Sequence, residues 1–210
     1  MNDNKVLISL FDYTGNASRP YREAGWRVIQ VDKKKGWDIR DFLYKRIILD
    51  HMHNVPRIGL IAMIPCTAYA LSGNRHKGSP AREEIFRESQ ELVEIVRQMV
   101  EFFEAYKVLD FWMIEQPRTD IHTKNPWIGK ITERIHPWFF AGYDPIPDNS
   151  RYRKWTWLFG KFNKMIQKPL DPLQHEFPGF TSLGGKSEKT KELRSTTPLG
   201  FAYAFFEANH

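Results

Sequence analysis

Four apolar runs, each closed by a turn or by a chemically capable residue, constrain this chain more than any other feature. Lys5–Leu10 (Lys-Val-Leu-Ile-Ser-Leu) stops at Phe11-Asp12, and Arg27–Val31 stops at Asp32. A third run, 58–64, stops at Pro65-Cys66, and a fourth, 107–114, stops at Glu115-Gln116-Pro117. Runs of this length read as buried strands, and proline and glycine punctuate their ends. Between the third and fourth lies a long helix, 82–106, whose Ile85, Phe86, Leu92, Val93, Val96, Met99, Val100 and Phe103 recur at three and four. Ser18 is placed to cap a short helix ended by Gly25, and Thr196 or Thr197 to cap a last helix over 198–208, with proline in its first turn. A short helix is expected from Pro126 to Ile135. Two late β segments, near 138–140 and 154–159, flank a Pro/Asp/Asn-rich turn and predict an antiparallel hairpin. Strands alternating with helices predict an α/β fold with a doubly wound, mostly parallel sheet.

The length, 210 residues, suits one sizeable core with at most a small appendage. The net charge is +6, and its distribution says more than its size. From Arg151 to Arg194 there are ten Lys/Arg against four Asp/Glu, so this stretch alone carries +6 and the remainder, 21 against 21, sums to zero. Such a concentration is either an electrostatic footprint for phosphates or a solvated basic surface. Aromatic residues interleave with it (Tyr152, Trp155, Trp157, Phe159, Phe162), and these either stack on bases or build core. No apolar stretch approaches the roughly 18 residues of a membrane span. Nor does the N-terminus have the layout of a signal peptide. The single cysteine excludes an intramolecular disulfide and fits a reducing interior. No Cys/His cluster has zinc spacing, and His51 and His53 read as surface residues, so no metal is expected. The expected setting is cytoplasmic.

In a parallel sheet of this kind the carboxyl ends of the strands share one edge, where ligands bind. Asp32, Cys66 and Glu115 all fall there, beside the glycine-containing turn at Gly15. A first turn of this kind approaches a nucleotide closely. An acid after the second strand either accepts from ribose hydroxyls or merely caps the next helix. A thiol after the third strand is either a nucleophile or a small buried hydrophobe.

Taken in order, these residues resemble the DNA cytosine-5 methyltransferases. Leu10-Phe11-Asp12-Tyr13-Thr14-Gly15-Asn16 is similar to that family's first motif, and Arg19 to Gly25 to the helix and glycine that follow it. Asp32 corresponds to the acid that holds the ribose of S-adenosylmethionine, and Trp37-Asp38-Ile39 resembles the Asp-Ile motif that contacts its adenine. Pro65-Cys66 corresponds to the Pro-Cys nucleophile motif, with Ser72-Gly73 in its loop. Ile114-Glu115-Gln116 resembles the Glu-Asn-Val motif, and Arg151-Tyr152-Arg153 the Arg-x-Arg motif. The stretch from Arg194 to Ala202 is similar to the tail of small phage and bacterial members. Tyr13 and Asn16 stand where the family's first loop has glycines, Ile64 where it has a proline, and Gln116-Pro117 where it has Asn-Val.

The resemblance implies a Rossmann-like catalytic domain over 1–160 and 193–210, with 161–192 a short basic, loop-rich insertion in place of a target-recognition domain. It implies methyl transfer from S-adenosylmethionine to carbon 5 of cytosine in DNA, in a bacterial or phage-infected cell. Cys66 is then the nucleophile, Glu115 the acid at ring nitrogen 3, and Arg153 or Arg151 the partner of the base carbonyl. Phe11, Asp12, Tyr13, Thr14, Gly15, Asn16, Asp32, Asp38, Ile39 and Pro65 would line the cofactor. Tyr13 and Trp37 also read as packing residues, and Arg194 as an anchor of the last helix. The insertion is too short for its own core. It offers Lys161, Lys164, Lys168, Lys186, Lys189 and Lys191 to phosphates, which position a protein without reading sequence. Weak specificity, or specificity supplied by a protein partner, is therefore expected, with 72–80 a lid over the base. Two alternatives stay open: modification of a free pyrimidine nucleotide, and a degenerate methyltransferase that binds without turnover.

Overall fold

A computed structural model describes residues 4–50, 56–69, 79–173 and 195–210. Three of the four apolar runs form strands close to their expected bounds: β1 (Lys5–Leu10), β2 (Arg27–Val31) and β3 (Arg57–Ala62). The fourth, β4 (Leu109–Pro117), runs on through Glu115, because β6 (Thr156–Lys161) pairs with it antiparallel to its last residue. The short β5 (Glu133–Ile135) completes a mixed sheet in the order β2-β1-β3-β4-β6-β5. The β2, β1, β3 and β4 neighbours are parallel, whereas β4-β6 and β6-β5 are antiparallel.

Alternation along β1 shows how both faces are covered. Val6, Ile8 and Leu10 join the cluster with Val93, Val96, Met99 and Phe103 of helix α3 (Pro80–Ala105). Leu7 points the other way, to Tyr21 of α1 (Arg19–Glu23) and Phe201 and Phe205 of α5 (Leu199–Ala208). A side-chain period of two on strands buried on both faces yields two cores. Two shorter helices, α2 (Arg46–Leu49) and α4 (Ile121–Lys124), lie on the α3 side, contributing Ile47, Ile48 and Ile121 to its core. No helix among the described residues is long and apolar enough to cross a membrane.

Several local expectations change. The stretch expected as a helix to Ile135 holds a 3-10 turn (Pro126–Ile128) and then β5. The segment 138–140, expected as a strand, lies in a 3-10 run (Pro137–Tyr143). Pro137 opens that run and Phe140 is buried against Phe201, so packing on α5 overrides its aromatic β propensity. Ser18 precedes α1 without capping it through its side chain, and Pro198, not a threonine, sits at the N-cap of α5. Residues 162–173 pack back on the domain. Lys168 N donates to Phe139 O at 3.0 Å, and Asn163 N to Asn209 Oδ1 at 2.7 Å. Most of the loop 72–80 lies outside the described residues, as do Lys186, Lys189, Lys191, Arg194, His51 and His53.

The contact of α5 with Pro137–Tyr143 depends on one missing methyl group. A Cβ at Gly200 would overlap the Phe140 carbonyl oxygen and meet Ser150 Oγ at 3.1 Å. Helix propensity favours alanine over glycine by about 1 kcal/mol, but overpacking against backbone costs about 1–3 kcal/mol. Gly200→Ala is therefore expected to lower the melting temperature, measured by circular dichroism, and an increase would contradict this packing.

Candidate active site

The parallel register sets the site. Leu10 pairs with Val31 on one side and Ala62 on the other, and Ala62 pairs with Ile114. The residues that follow these four therefore emerge along one edge. Because β2 and β3 lie on opposite sides of β1, the chain reverses its winding there, and a crevice opens at such a reversal.

The turn after β1 is tightly built. Phe11 takes a left-handed φ of 60° while its N–H donates to Val31 O at 2.8 Å. Asp12 is buried, and its Oδ2 accepts from Ser9 Oγ, Ser18 N and Ser18 Oγ at 3.0–3.1 Å. This carboxylate latches β1 to α1. Gly15, at φ 73°, closes the turn through its N–H to Asp12 O at 3.1 Å. Gln30 braces the loop from β2, donating to the carbonyls of Asp12 and Tyr13. Tyr13 and Thr14 point outward, with the Lys34 ammonium 5.1 Å from the Tyr13 ring centroid. Asn16 reaches across the molecule, its Nδ2 donating to Thr197 O at 3.0 Å.

Asp32 and Asp38 act first as caps. Asp32 Oδ1 accepts from Lys34 N at 2.8 Å, starting a 3-10 turn (Lys33–Lys35). Its Oδ2 has no partner among the described residues. Asp38 accepts from Arg40 N at 3.0 Å and from the Arg40 guanidinium, which in turn grips Glu91 of α3 at 2.8 Å. The Arg40 backbone N–H and guanidinium hold the Asp38 carboxyl below its usual range. Ile39 is buried beneath, and Trp37 is 41% exposed, edge-on to Phe42 at 5.3 Å.

Cys66 opens a 3-10 turn (Cys66–Ala68) directly after the exposed Pro65, and it is half-buried. Its loop is held from three sides. Gln116 Nε2 donates to Ile64 O, Arg82 to Ala68 O at 3.2 Å, and Thr119 Oγ1 to Tyr69 O at 3.3 Å. Gln116 is fully buried, and its Oε1 has no partner among the described residues. Gln116 thus ties the Glu115 strand to the Cys66 loop. Burial, and after it the negative charge of Glu115, push the Cys66 thiol up, and Lys154 partly offsets both. The thiol, the carboxylate and the ammonium therefore share one field. Glu115 and Lys154 line one pocket with Ile135, Thr156 and Thr197. Burial pushes the nearby Tyr152 hydroxyl up as well, with Glu115 adding to it.

The two arginines part company. Arg151 is tied to Asp148 at 3.0 Å and to Asp171 O at 2.8 Å, and its carbonyl accepts from Leu173 N. Its visible work is anchoring the 171–173 segment. Arg153 is exposed and near His136, whose ring it helps hold below the usual histidine value after burial has done most of that. Sequence reasoning singled out neither Lys154 nor Gln116 nor Gln30 in a role. Only the β4–β6 pairing, which has no local signal, brings Lys154 to Glu115.

A larger groove, about 570 Å³, lies elsewhere, along the unpaired edge of β2 between Arg27, Trp37, Leu43 and Arg46. Its lining includes one carboxylate, Asp50, and no thiol, and it takes in Trp37 and Gln30, the residues beside the first turn. Among the described residues no group of three His, Cys, Asp or Glu side chains gathers as a metal ion would need.

The shared field has a measurable sign. A raised thiol pKa means less thiolate at a given pH, so iodoacetamide alkylation of Cys66 should reach its midpoint above the ordinary thiol value of about 8.5. Glu115→Gln removes the repelling charge and should move the midpoint down, whereas Lys154→Gln should move it up. Midpoints unmoved by both substitutions would separate Cys66 from this cluster. No protein-family model matches the chain, and no curated protein matches it in sequence.

Proposed function

We propose that this chain transfers a methyl group from S-adenosylmethionine to carbon 5 of cytosine in DNA, on the Rossmann-like fold of such methyltransferases. The observation that supports the reading is that the Cys66 loop and Glu115 leave the sheet at one level, Ala62 paired with Ile114 and Gln116 Nε2 donating to Ile64 O, next to a strand-turn-helix built around Gly15.

The residues present fit the cofactor. Asp32 offers vicinal hydroxyls a carboxylate oxygen with no partner among the described residues, and Trp37, whose N–H donates to Asp32 O at 3.3 Å, supplies a partly exposed apolar wall next to it. The 11–16 turn lies between that wall and the Cys66 loop, since Phe11 bonds β2 and Met63 N donates to Leu10 O at 3.0 Å. Asp38 fits through its backbone rather than its carboxylate, which Arg40 already occupies. When bound, the cofactor supplies a methyl group on a positively charged sulfur, an electrophile for a carbon nucleophile.

Carbon 5 of cytosine is a weak nucleophile, and the protein has to make it a stronger one. The Cys66 thiolate adds to carbon 6, and the ring electrons it displaces make carbon 5 an enamine carbon. Glu115 donates a hydrogen bond or proton at ring nitrogen 3, which stabilises the charge that addition creates. Lys154, and Arg153 from the surface, offset negative charge at the base carbonyl and at the thiolate. After methyl transfer the carbon 5 proton leaves to a base and the Cys66 sulfur departs with its bonding pair, restoring the aromatic ring. In a duplex the base must first leave the stack, which costs a few kcal/mol.

The test is mass spectrometry of nucleosides from DNA incubated with the protein and an isotopically labelled methyl donor. Labelled 5-methylcytosine is expected, falling to background in Cys66→Ala. Glu115→Gln should slow transfer roughly 10²–10⁴-fold. Transfer to dCMP but not to DNA would move the substrate to free nucleotides, and residual transfer in Cys66→Ala would remove the nucleophile assignment.

A further inference from the structure

Strand β2 is the outermost strand of the sheet, and among the described residues no strand pairs with its outer side. Its ladder with β1 tells which backbone groups face that side. Val31 O accepts from Phe11 N at 2.8 Å, so Val31 turns its backbone groups toward β1. Successive residues of a strand turn their N–H and C=O to opposite sides. Arg27, Ile29 and Val31 stand opposite Val6, Ile8 and Leu10, so all three bond inward. The N–H and C=O groups of Val28 and Gln30 therefore face outward, and no backbone group among the described residues meets them.

The groove of about 570 Å³ occupies the space these groups face. Its walls come from both faces of the sheet. Arg22 of α1 stands on one side, together with the Val28 side chain, which packs on the core under α1 and α5. Phe42 and Ile47, of the core under α3, stand on the other side with the Ile29 side chain. A groove walled in this way lies in line with the sheet, where a further strand would continue the ladder. Four steps of about 3.3 Å separate Arg27 from Val31, so the groove follows β2 for about 13 Å.

Charge selects the occupant. Three exposed arginines, Arg22, Arg27 and Arg46, line the groove against one carboxylate, Asp50. Leu43, 63% exposed, and Trp37 add apolar surface. Outward N–H and C=O groups at strand spacing match another peptide backbone rather than a sugar-phosphate one. A second copy of β2 would bring two sets of these arginines into one groove, and like charges oppose that pairing.

We propose that the outer edge of β2 is a docking site for an acidic, extended segment of a partner protein, which joins the sheet as one more strand. Its backbone pairs with Val28 and Gln30, its carboxylates face the three arginines, and its apolar side chains lie on Leu43 and Trp37. Neither Cys66 nor Glu115 lines this groove, so the proposal does not depend on the methyl-transfer reading.

The experiment is fluorescence anisotropy with the full chain and a labelled peptide of alternating Glu and Val that spans the five residues of β2. Saturable binding is expected. Replacing each Glu of the peptide by Lys should weaken it more than about tenfold. N-methylation of every second peptide amide keeps the charge and blocks one edge. Made in both phases, it should weaken one of them roughly 2- to 12-fold for each backbone hydrogen bond lost. Arg27→Gln and Arg46→Gln should each cost about 1.5- to 5-fold. Val28→Pro removes an outward N–H, a change that an outer strand tolerates, and should weaken binding as N-methylation does. Its melting temperature checks that it folds, and the N-methylated peptides test the same ladder on the wild type. Absence of saturable binding overturns the proposal. Binding that neither N-methylation phase nor Val28→Pro alters overturns it too, because charge alone then holds the peptide. A dimer in sedimentation that Val28→Pro disperses also overturns it, because a second copy then holds the edge.

Discussion

The parallel register of β1 with β2 and β3, continued from β3 to β4, is the constraint from which the rest follows. Residues 11, 32, 66 and 115 are far apart in sequence. They come together because Leu10, Val31, Ala62 and Ile114 stand at one level of the sheet. A slip of one residue in any of these pairings would turn that strand's apolar set from one core to the other. Two separate cores, one under α3 and one under α1 and α5, make such slips costly. The hydrophobic pattern therefore positions Asp32, Cys66 and Glu115 although none of these side chains belongs to either core.

Local devices then hold the loops that the register delivers. The buried Asp12 carboxylate fastens the first turn to α1, and Gln30 supports it from β2. Gln116, Arg82 and Thr119 hold the backbone around Cys66. Asn16, bonded to Thr197, joins the first turn to the wall of the Glu115 pocket. These polar side chains fix the course of the backbone around the site. Their bonds to buried backbone groups are the kind whose loss leaves an unsatisfied acceptor and costs about 1–3 kcal/mol.

The strand ends were legible in the sequence because apolar runs and their punctuation are local signals. β1, β2 and β3 fall close to their expected bounds, and Asp32 and Cys66 emerge where the pattern put them. What the sequence hid depends on pairing. β4 extends past Glu115 only because β6 lies beside it, and the same pairing turns Lys154 toward Glu115. The aromatic stretch at 138–140 has strand propensity, yet packing on α5 coils it into a 3-10 run. The Arg151-Tyr152-Arg153 pattern does not distinguish its two arginines. Only the placement of Asp148 and Asp171 shows that the first is an anchor and the second is open to solvent.

Electrostatics gives the site its tension. Burial and the Glu115 charge both disfavour the Cys66 thiolate, and Lys154 only partly relieves them. In the methyl-transfer reading proposed above, a ring entering between thiol and carboxylate would share that charge and relieve the repulsion. The most direct measurement is a covalent trap: a DNA oligonucleotide carrying 5-fluorocytosine, incubated with the protein and the methyl donor. Fluorine at carbon 5 cannot leave as a proton does, so the ring stays attached to the attacking sulfur. Peptide mass spectrometry should show a donor-dependent adduct on the fragment containing Cys66. No adduct, or one attached at another residue, would contradict the account.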